Sequence, residues 1–174
     1  ASDTSELFFE DVRVPASAIL GKLDQGFAVL MGELPRERLA LAIGAVAAAE
    51  GVLADTVDYV KERKAFGAPL AELQNTKFKL AEVATEIRIH RSFVEECKDL
   101  LIKGELDTAT ASMSKVACTE MQGRVADTCL QLYGGYGYMR EYGVSRAFVD
   151  ARVQRIYGGT SEIMKELISR SVLA

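Results

Sequence analysis

The sequence predicts an all-α protein, an up-down four-helix bundle with a short β-strand before it. Three observations support this prediction. The 174 residues contain only 3 Pro and no Trp, while Ala, Leu, Glu and Lys, which are good helix formers, are abundant. Apolar residues recur at steps of three and four along three long segments, which is the helical period. Short links join these segments, so we expect the helices to pack antiparallel.

The predicted strand comes first, over residues 6–14. Its apolar positions are β-branched, aromatic or leucine, and Pro15 follows directly, a pattern typical of a strand that leads into a turn. A single strand leaves its backbone groups unpaired, and the sequence offers no sheet for it to join. We therefore expect the chain to begin inside a longer protein. After glycines at 21 and 26, residues 26–33 fit a brief separate helix.

The first long helix is predicted from Arg36 to about Arg63. Pro35 suits the first turn of a helix, because its fixed φ fits there and its missing N–H would have no partner. Glu37 then lies in the first turn, where it has two interpretations. It is an acid stabilised by the helix dipole, or a carboxylate facing a pocket between helices with Arg36 and Arg38 beside it. The apolar stripe of this helix consists of Leu39, Ile43, Val46, Leu53, Val57 and Val60.

The second helix is predicted from about Glu72 to Lys103, with Gly104 ending it. His90 falls on its apolar stripe, and we interpret it as a core or boundary residue. The third helix is predicted to start near Asp107, a plausible N-cap, and to run to the glycines at 134. Residues 144–151 and 161–173 supply the fourth partner.

Composition excludes several classes of function. The net charge is -4 with acids and bases interspersed. The sequence therefore has no basic face that would predict nucleic-acid binding. No apolar run approaches the roughly 18–20 residues that span a bilayer, and the N-terminus lacks the pattern of a signal peptide. Cys97, Cys118 and Cys129 are widely spaced, which predicts reduced core thiols in a cytoplasmic protein. The sequence has no Cys/His cluster that would predict a metal site.

Three further segments could bind a ligand, and each also has a purely structural interpretation. After the first helix, Arg63 could hold a phosphate while Phe66 covers a ring, or Arg63 could complement the helix dipole with Gly67 as cap. Residues 131–138 contain Gly-Gly-x-Gly, but a helix precedes it, so it is no Rossmann fingerprint. Residues 155–163 place two glycines before a helix with Thr160 or Ser161 as N-cap, which suits an anion or a tight turn.

Together these segments resemble the C-terminal helical domain of the acyl-CoA dehydrogenases. The resemblance covers nearly the whole chain, and the four segments occur in the family's order. Residues 1–20 would then be a remnant of the last strand of the family's middle β-domain with a linker, and residues 21–174 the helical domain. The matching segments are Leu34-Pro-Arg-Glu-Arg-Leu39, Glu62-Arg-Lys-Ala-Phe-Gly67, Gln131-Leu-Tyr-Gly-Gly135 and Ile156-Tyr-Gly-Gly-Thr-Ser-Glu162.

The resemblance implies a flavoenzyme that removes the α-proton of an acyl-CoA thioester while the β-hydride passes to FAD. Most of the family carries the catalytic glutamate in the late segment, where this chain has Gly158. The long-chain and isovaleryl branch carries it in the early helix, where this chain has Glu37. Two carboxylates at one α-carbon would raise each other's pKa, so one acid suffices. The resemblance thus favours Glu37 as the base. The amino-acid sequences of the matching segments are most similar to those of the long-chain branch.

The same resemblance implies binding roles for further residues. Those expected to bind substrate are Pro35, Arg36, Arg38, Gly158 and Gly159. Those expected to bind FAD are Arg63, Phe66, Gln74, Gln131, Gly134, Gly135, Thr160 and Glu162, with residues 131–135 serving the FAD of a neighbouring subunit.

The implied partners are an acyl-CoA, an electron-transfer flavoprotein and further copies of the chain, as a homotetramer or dimer through the bundle. Neither nucleic acid nor membrane insertion is expected. Three alternatives stay open: an acyl-CoA oxidase, a flavin monooxygenase on the same fold, and a catalytically silent assembly domain. Because most of the family's β-domain is missing, we expect these 174 residues alone to bind FAD weakly or not at all and not to turn over.

Overall fold

A computed structural model describes residues 5–174 of the chain. The chain has two compact units, Ala1–Glu33 and Leu34–Ala174, and the division predicted at residue 20 stays a prediction. The helices are α1 (Gly26–Glu62), α2 (Gln74–Lys103), α3 (Thr108–Tyr133), α4 (Gly143–Val153) and α5 (Ser161–Val172). The strands are β1 (Lys64–Ala65) and β2 (Ala68–Pro69), and short 3₁₀ turns occupy Ala16–Ala18, Leu70–Glu72 and Gly134–Tyr138. The predicted all-α class and helical bundle are confirmed.

The predicted strand at residues 6–14 is wrong for this chain. The described residues of this segment, 5–14, form no strand, and their apolar side chains are exposed, Phe8 by 82%. An extended segment without a paired strand has no ladder for its backbone groups to join. Residues 1–4 of the predicted β-domain remnant lie outside the described residues.

The predicted start of the first long helix is also wrong. α1 begins at Gly26 and continues through Pro35 without interruption, so the brief helix and the long helix are one element. Proline removes one helical hydrogen bond and disfavours a helix interior, which is why the local pattern indicated a start there. Glu37 therefore lies inside a helix and not in its first turn, so the dipole interpretation of this residue fails.

Two helix ends are where the sequence predicted them. Gly104 ends α2 in the left-handed conformation, with φ +73°. Asp107 caps α3, and its carboxylate accepts hydrogen bonds from the backbone N–H groups of Ala109 and Thr110 at 2.7 and 2.9 Å. At the start of α5, Thr160 is the N-cap. Local capping chemistry is sufficient to account for these ends.

The link after α1 is a small hairpin. β1 and β2 pair antiparallel, with Ala65 opposite Ala68. Phe66 and Gly67 form the two-residue turn with φ +54° and +86°, both positive as such hairpin turns require. Gly67 is therefore a hairpin residue, and the predicted helix cap is wrong, because α1 already ends at Glu62.

α3 is the central helix of the second unit and packs against α2, α4 and α5. Residues 34–62 of α1 contribute to the same core. Its buried members are Leu39, Ala42, Ala45, Val46, Ala49, Val83, Ile87, Val94, Cys97, Cys118, Met121, Val125, Cys129, Tyr133 and Val144. The three cysteines are free thiols within the core, as predicted, and burial raises the pKa of the Cys118 thiol to about 12.

Polar groups also join the helices. Glu50 interrupts the apolar stripe of α1, and its carboxylate accepts from Arg91 Nε of α2 at 2.9 Å. His90 is half-buried, and its Nδ1 lies 2.8 Å from the carbonyl oxygen of Glu86. This agrees with its interpretation as a boundary residue of the bundle.

One helix of the described residues, α1, is long and apolar enough by length and composition to cross a membrane, with a mean hydropathy of 1.6 over its most apolar window. The expectation that no segment reaches this threshold is wrong. This is weak evidence for a membrane span, because a helix buried in the core of a bundle passes the same test. Leu39, Ala42, Ala45 and Val46 of this helix are fully buried in the bundle.

Candidate functional site

A cleft of about 400 Å³ lies between α1 and the turn that leads into α5. We call it the glutamate cleft. Glu37 is the only acidic residue that lines it among the described residues, and Tyr157 and Gly158 line its other side. Its remaining wall consists of Leu34, Arg36, Arg38, Ala40 and Leu41. A carboxylate in a partly apolar cleft is an arrangement suited to proton transfer.

The turn across the cleft has two glycine positions where an added side chain would have no space. Gly158 and Gly159 have φ +64° and +98°, which side-chain-bearing residues rarely adopt. A Cβ at Gly158 would lie 2.7 Å from Leu41 Cδ1, and one at Gly159 would lie 2.6 Å from Met164 Cε. Both glycines are thus required by backbone conformation and by contact with α1 and α5.

Two buried cations lie at this cleft: Arg38 in its wall and Lys115 beside the adjoining turn. Arg38 is 5% exposed, its Nη1 lies 3.5 Å from Ser112 Oγ of α3, and its Nε has no hydrogen-bond partner among the described residues. Lys115 is fully buried, and its Nζ donates to the Gly159 carbonyl oxygen at 2.6 Å. Burial lowers the pKa of Lys115, and the nearby Arg38 guanidinium lowers it further. Burial also lowers the pKa of Arg38.

A second cleft of about 420 Å³ lies at the C-terminal end of α3. We call it the tyrosine cleft. The Tyr59 and Tyr133 rings stack there with centroids 3.9 Å apart, and the Arg63 guanidinium lies 5.1 Å from the Tyr136 ring centroid. Other lining residues are Leu70, Gln131, Leu132, Gly134, Gly135 and Met139. Cβ atoms at Gly134 and Gly135 would meet nothing within 4 Å, so a ligand can approach this backbone closely.

The remaining predicted flavin residues lie elsewhere. Thr160 and Glu162 line a small cleft of about 160 Å³ at the start of α5, beside Arg152 and Arg155. Ser161 in the same cleft has a buried Oγ without a hydrogen-bond partner among the described residues. Phe66 is 98% exposed at the tip of the hairpin, and Gln74 is exposed at the start of α2.

Comparison with known proteins explains why these segments occur together. The sequence profile of the acyl-CoA dehydrogenase C-terminal domain matches residues 24–173. The chain belongs to the acyl-CoA dehydrogenase family. A long-chain specific acyl-CoA dehydrogenase, mitochondrial, of Sus scrofa is 55% identical over 173 residues, which is 99% of this chain and 40% of that protein. The chain thus spans about two fifths of the length of these long-chain relatives.

Solved structures of the family share the fold. An acyl-CoA dehydrogenase from Geobacillus kaustophilus superposes with a TM-score of 0.90 at 45% identity, over 95% of this chain and 43% of that one. A structure described as an electron transferring flavoprotein of Acidaminococcus fermentans gives a TM-score of 0.90 at 35% identity, over 95% of this chain and 43% of that one.

The structure brings together some predicted residues of this acyl-CoA dehydrogenase domain and separates others. Of the expected substrate residues, Arg36, Arg38 and Gly158 line the glutamate cleft with Glu37, whereas Pro35 and Gly159 do not line it. Of the expected FAD residues, the tyrosine cleft unites Arg63, Gln131, Gly134 and Gly135. The chemical roles of all these residues stay predictions.

Sequence reasoning about this acyl-CoA dehydrogenase domain missed Lys115. A signal was present, because buried residues along α3 recur at steps of four and three, and Lys115 occupies one position of this stripe. The other members of that stripe are Ala111, Cys118, Gln122, Val125 and Cys129, all of them buried. A lysine in a core stripe indicates a buried amine that needs an acceptor.

Proposed function

We propose that the chain is the C-terminal domain of an FAD-dependent acyl-CoA dehydrogenase in which Glu37 removes the α-proton of the thioester. In this proposal the chain acts within a longer protein, as its relatives do. The observation that best supports it is that Glu37 and Gly158 line one cleft, with no other carboxylate among the described residues that line it. A single base across from a glycine turn matches the long-chain branch that the segments resemble.

The glutamate cleft suits this chemistry in three ways. A carboxylate must lie close to the acidic C–H, and the cleft offers one such group. Apolar walls from Leu34, Ala40 and Leu41 lower the local dielectric and strengthen electrostatic interactions near the base. At Gly158 an added Cβ would lie 2.7 Å from Leu41 Cδ1, so a second acid does not fit at this position of the turn unless Leu41 shifts.

The residues of the tyrosine cleft fit part of a dinucleotide. Its volume lies in the usual range for small-molecule sites, and its two unobstructed glycines let a phosphate or ribose approach the backbone. The Arg63 guanidinium and the Gln131 amide provide donors for anionic and polar groups. When bound, FAD would accept the hydride from the β-carbon. Thr160 and Glu162 at the start of α5 would hold a further part of the cofactor.

The proposed partners follow from the same resemblance. We propose a homotetramer or dimer through the bundle, in which residues 131–135 serve the FAD of a neighbouring subunit. Electrons would leave through an electron-transfer flavoprotein. Anaerobic bleaching of the flavin by acyl-CoA, followed by slow reoxidation in air, would support a dehydrogenase. Rapid reoxidation would support the acyl-CoA oxidase alternative.

The test compares Glu37→Gln with the unsubstituted full-length protein. We expect the rate of anaerobic flavin reduction by acyl-CoAs of graded length to fall by roughly 10²–10⁴-fold, the usual contribution of a general base. Deuterium incorporation from D₂O at the α-carbon should fall in parallel. Glu96→Gln, at an exposed glutamate of α2, is the matched control and should leave both rates unchanged. A Glu37→Gln protein that reduces its flavin within threefold of the parent would exclude Glu37 as the base.

A further inference from the structure

Lys115 lies in an environment that a lysine rarely occupies. Its side chain is fully buried, although lysine is almost never fully buried without a partner. The acceptor it contacts is the backbone carbonyl oxygen of Gly159, 2.6 Å from Nζ. The neighbouring Arg38 guanidinium is a like charge, so it does not compensate the amine. A buried cation in such surroundings is costly, which indicates that the contact serves more than packing.

The acceptor belongs to the turn that faces the proposed base. This turn contacts three helices: Gly158 lies against Leu41 of α1, Gly159 lies against Met164 of α5, and Lys115 of α3 bonds the Gly159 carbonyl. The first two are van der Waals contacts, which resist approach but not separation. The hydrogen bond from Lys115 is directional and opposes separation.

The side of the cleft that carries Glu37 also contacts this part of α3. Arg38 follows Glu37 on α1, and its guanidinium lies 3.5 Å from Ser112 Oγ, at the long end of hydrogen-bond distances. Ser112 and Lys115 are three residues apart on α3, so they share one helical face. The segment of α1 with Glu37 and the glycine turn are therefore both attached to one helical turn.

We propose that Lys115 is a positioning residue, whose hydrogen bond to the Gly159 carbonyl holds the Tyr157–Gly159 turn at the distance from Glu37 that proton abstraction needs. This rests on the proposed function, because positioning has a consequence only if Glu37 acts on a substrate in the cleft. A misplacement of about 1 Å at a reacting centre costs roughly 100-fold in rate. Loss of the bond should therefore slow the chemical step while leaving most of the binding contacts in place.

The test is Lys115→Met in the full-length protein, because methionine has nearly the same length but neither charge nor donor. We expect flavin reduction at saturating acyl-CoA to slow by at least about tenfold, with the substrate Kd within about threefold of the parent. Lys165→Met is the matched control: it removes a lysine of α5 that is exposed and paired with Glu120. It should change neither quantity. Equal reduction rates for Lys115→Met and the parent would overturn the proposal.

Hydrogen–deuterium exchange provides a second readout that does not depend on turnover. The Ser161 N–H donates to the Arg155 carbonyl oxygen and closes the turn, so its protection reports on the turn's position. In Lys115→Met we expect faster exchange in peptides covering residues 154–163 and unchanged exchange in residues 88–97 of α2. Uniformly faster exchange in both would indicate a general loss of stability and would overturn a positioning role.

The two readouts separate this proposal from the proposed function. If the unsubstituted protein does not reduce its flavin with any acyl-CoA, the proposed function fails, and the positioning role fails with it. If the parent is active and Lys115→Met slows reduction while the turn keeps its protection, only the positioning role fails. Where Lys115→Met does not fold, Lys115→Leu, which also has no donor for the Gly159 carbonyl oxygen, is judged by the same criteria.

Discussion

The two ends of α3 support two different kinds of cleft. Near its start, Ser112 and Lys115 contact the elements that border the glutamate cleft. At its far end, Gln131 and Tyr133 line the tyrosine cleft themselves. The first region holds buried cations and crowded glycines, whereas the second holds stacked aromatic rings and glycines with free space above them.

Under the proposed function, this difference lets one helix support catalysis at one end and cofactor binding at the other. Chemistry requires reacting groups to be held within a fraction of an ångström, and the glutamate cleft is bordered by a turn that three helices contact. Binding a large ligand requires accessible donors and space for its approach, and the tyrosine cleft provides both. Substitutions near the start of α3 should therefore change rates, and substitutions near its end should change affinities.

Between the two clefts, the largest expected difference comes from replacing one glycine in each. At Gly158 an added Cβ would lie 2.7 Å from Leu41 Cδ1 on a backbone with φ +64°, so the turn must move or Leu41 must shift. We expect Gly158→Ala to slow flavin reduction in the full-length protein by about 100-fold. The Gly135→Ala protein is the counterpart, because a Cβ there meets nothing within 4 Å and φ is not positive. Its reduction rate should stay within about threefold of the parent.

A smaller effect with the opposite signature is expected at Arg63. Arg63→Met removes a charged donor from the tyrosine cleft, and hydrogen bonds to charged groups contribute about 1.5–3 kcal/mol. We expect the Kd for FAD, titrated onto the apoprotein, to rise by roughly tenfold or more, with the flavin reduction rate at saturation unchanged. Arg88→Met, at an exposed arginine of α2, is the control. A lowered saturated rate with unchanged FAD affinity would contradict the division between the two ends of α3.

Local chemistry explains the parts of the fold that the sequence predicted well. Asp107 and Gly104 end their helices through contacts with backbone groups a few residues away, so a short window contains the whole interaction. Pro35 was misleading for the same reason. Its local preference indicates a helix start, but α1 continues through it, and tertiary packing can override such a preference.

The candidate site was only partly predictable. Resemblance to the family indicated Glu37 and Gly158, and the structure places both on one cleft. Lys115 was missed because its burial depends on α1, α3 and the Gly159 turn meeting in space. The sequence shows it simply as one lysine in a helical segment. Glu50 gives the same kind of signal, an ionisable residue within the apolar stripe of α1.

The smallest predicted effect concerns the N-cap at the start of α3. Hydrogen bonds from Thr110, first from its side chain and then from its backbone, lower the pKa of Asp107. The unfolded state then binds more protons, so the cap's contribution is present above the ordinary aspartate pKa of about 3.9 and is lost as pH falls through the lower folded-state pKa. Asp107→Ala should cost about 1 kcal/mol of local stability at pH 7.

That loss should remain near the capped end of α3. In hydrogen–deuterium exchange at pH 7 we expect the first turns of α3 to exchange about fivefold faster in Asp107→Ala, since about 1.4 kcal/mol corresponds to tenfold, with residues 128–135 unchanged. Asp107→Asn keeps an acceptor but cannot titrate, so its protection relative to Asp107→Ala should persist as the pH falls toward 3, while the parent loses its advantage. Faster exchange at both ends of α3 would show that the helix opens as one unit, and the two clefts could then not be perturbed independently.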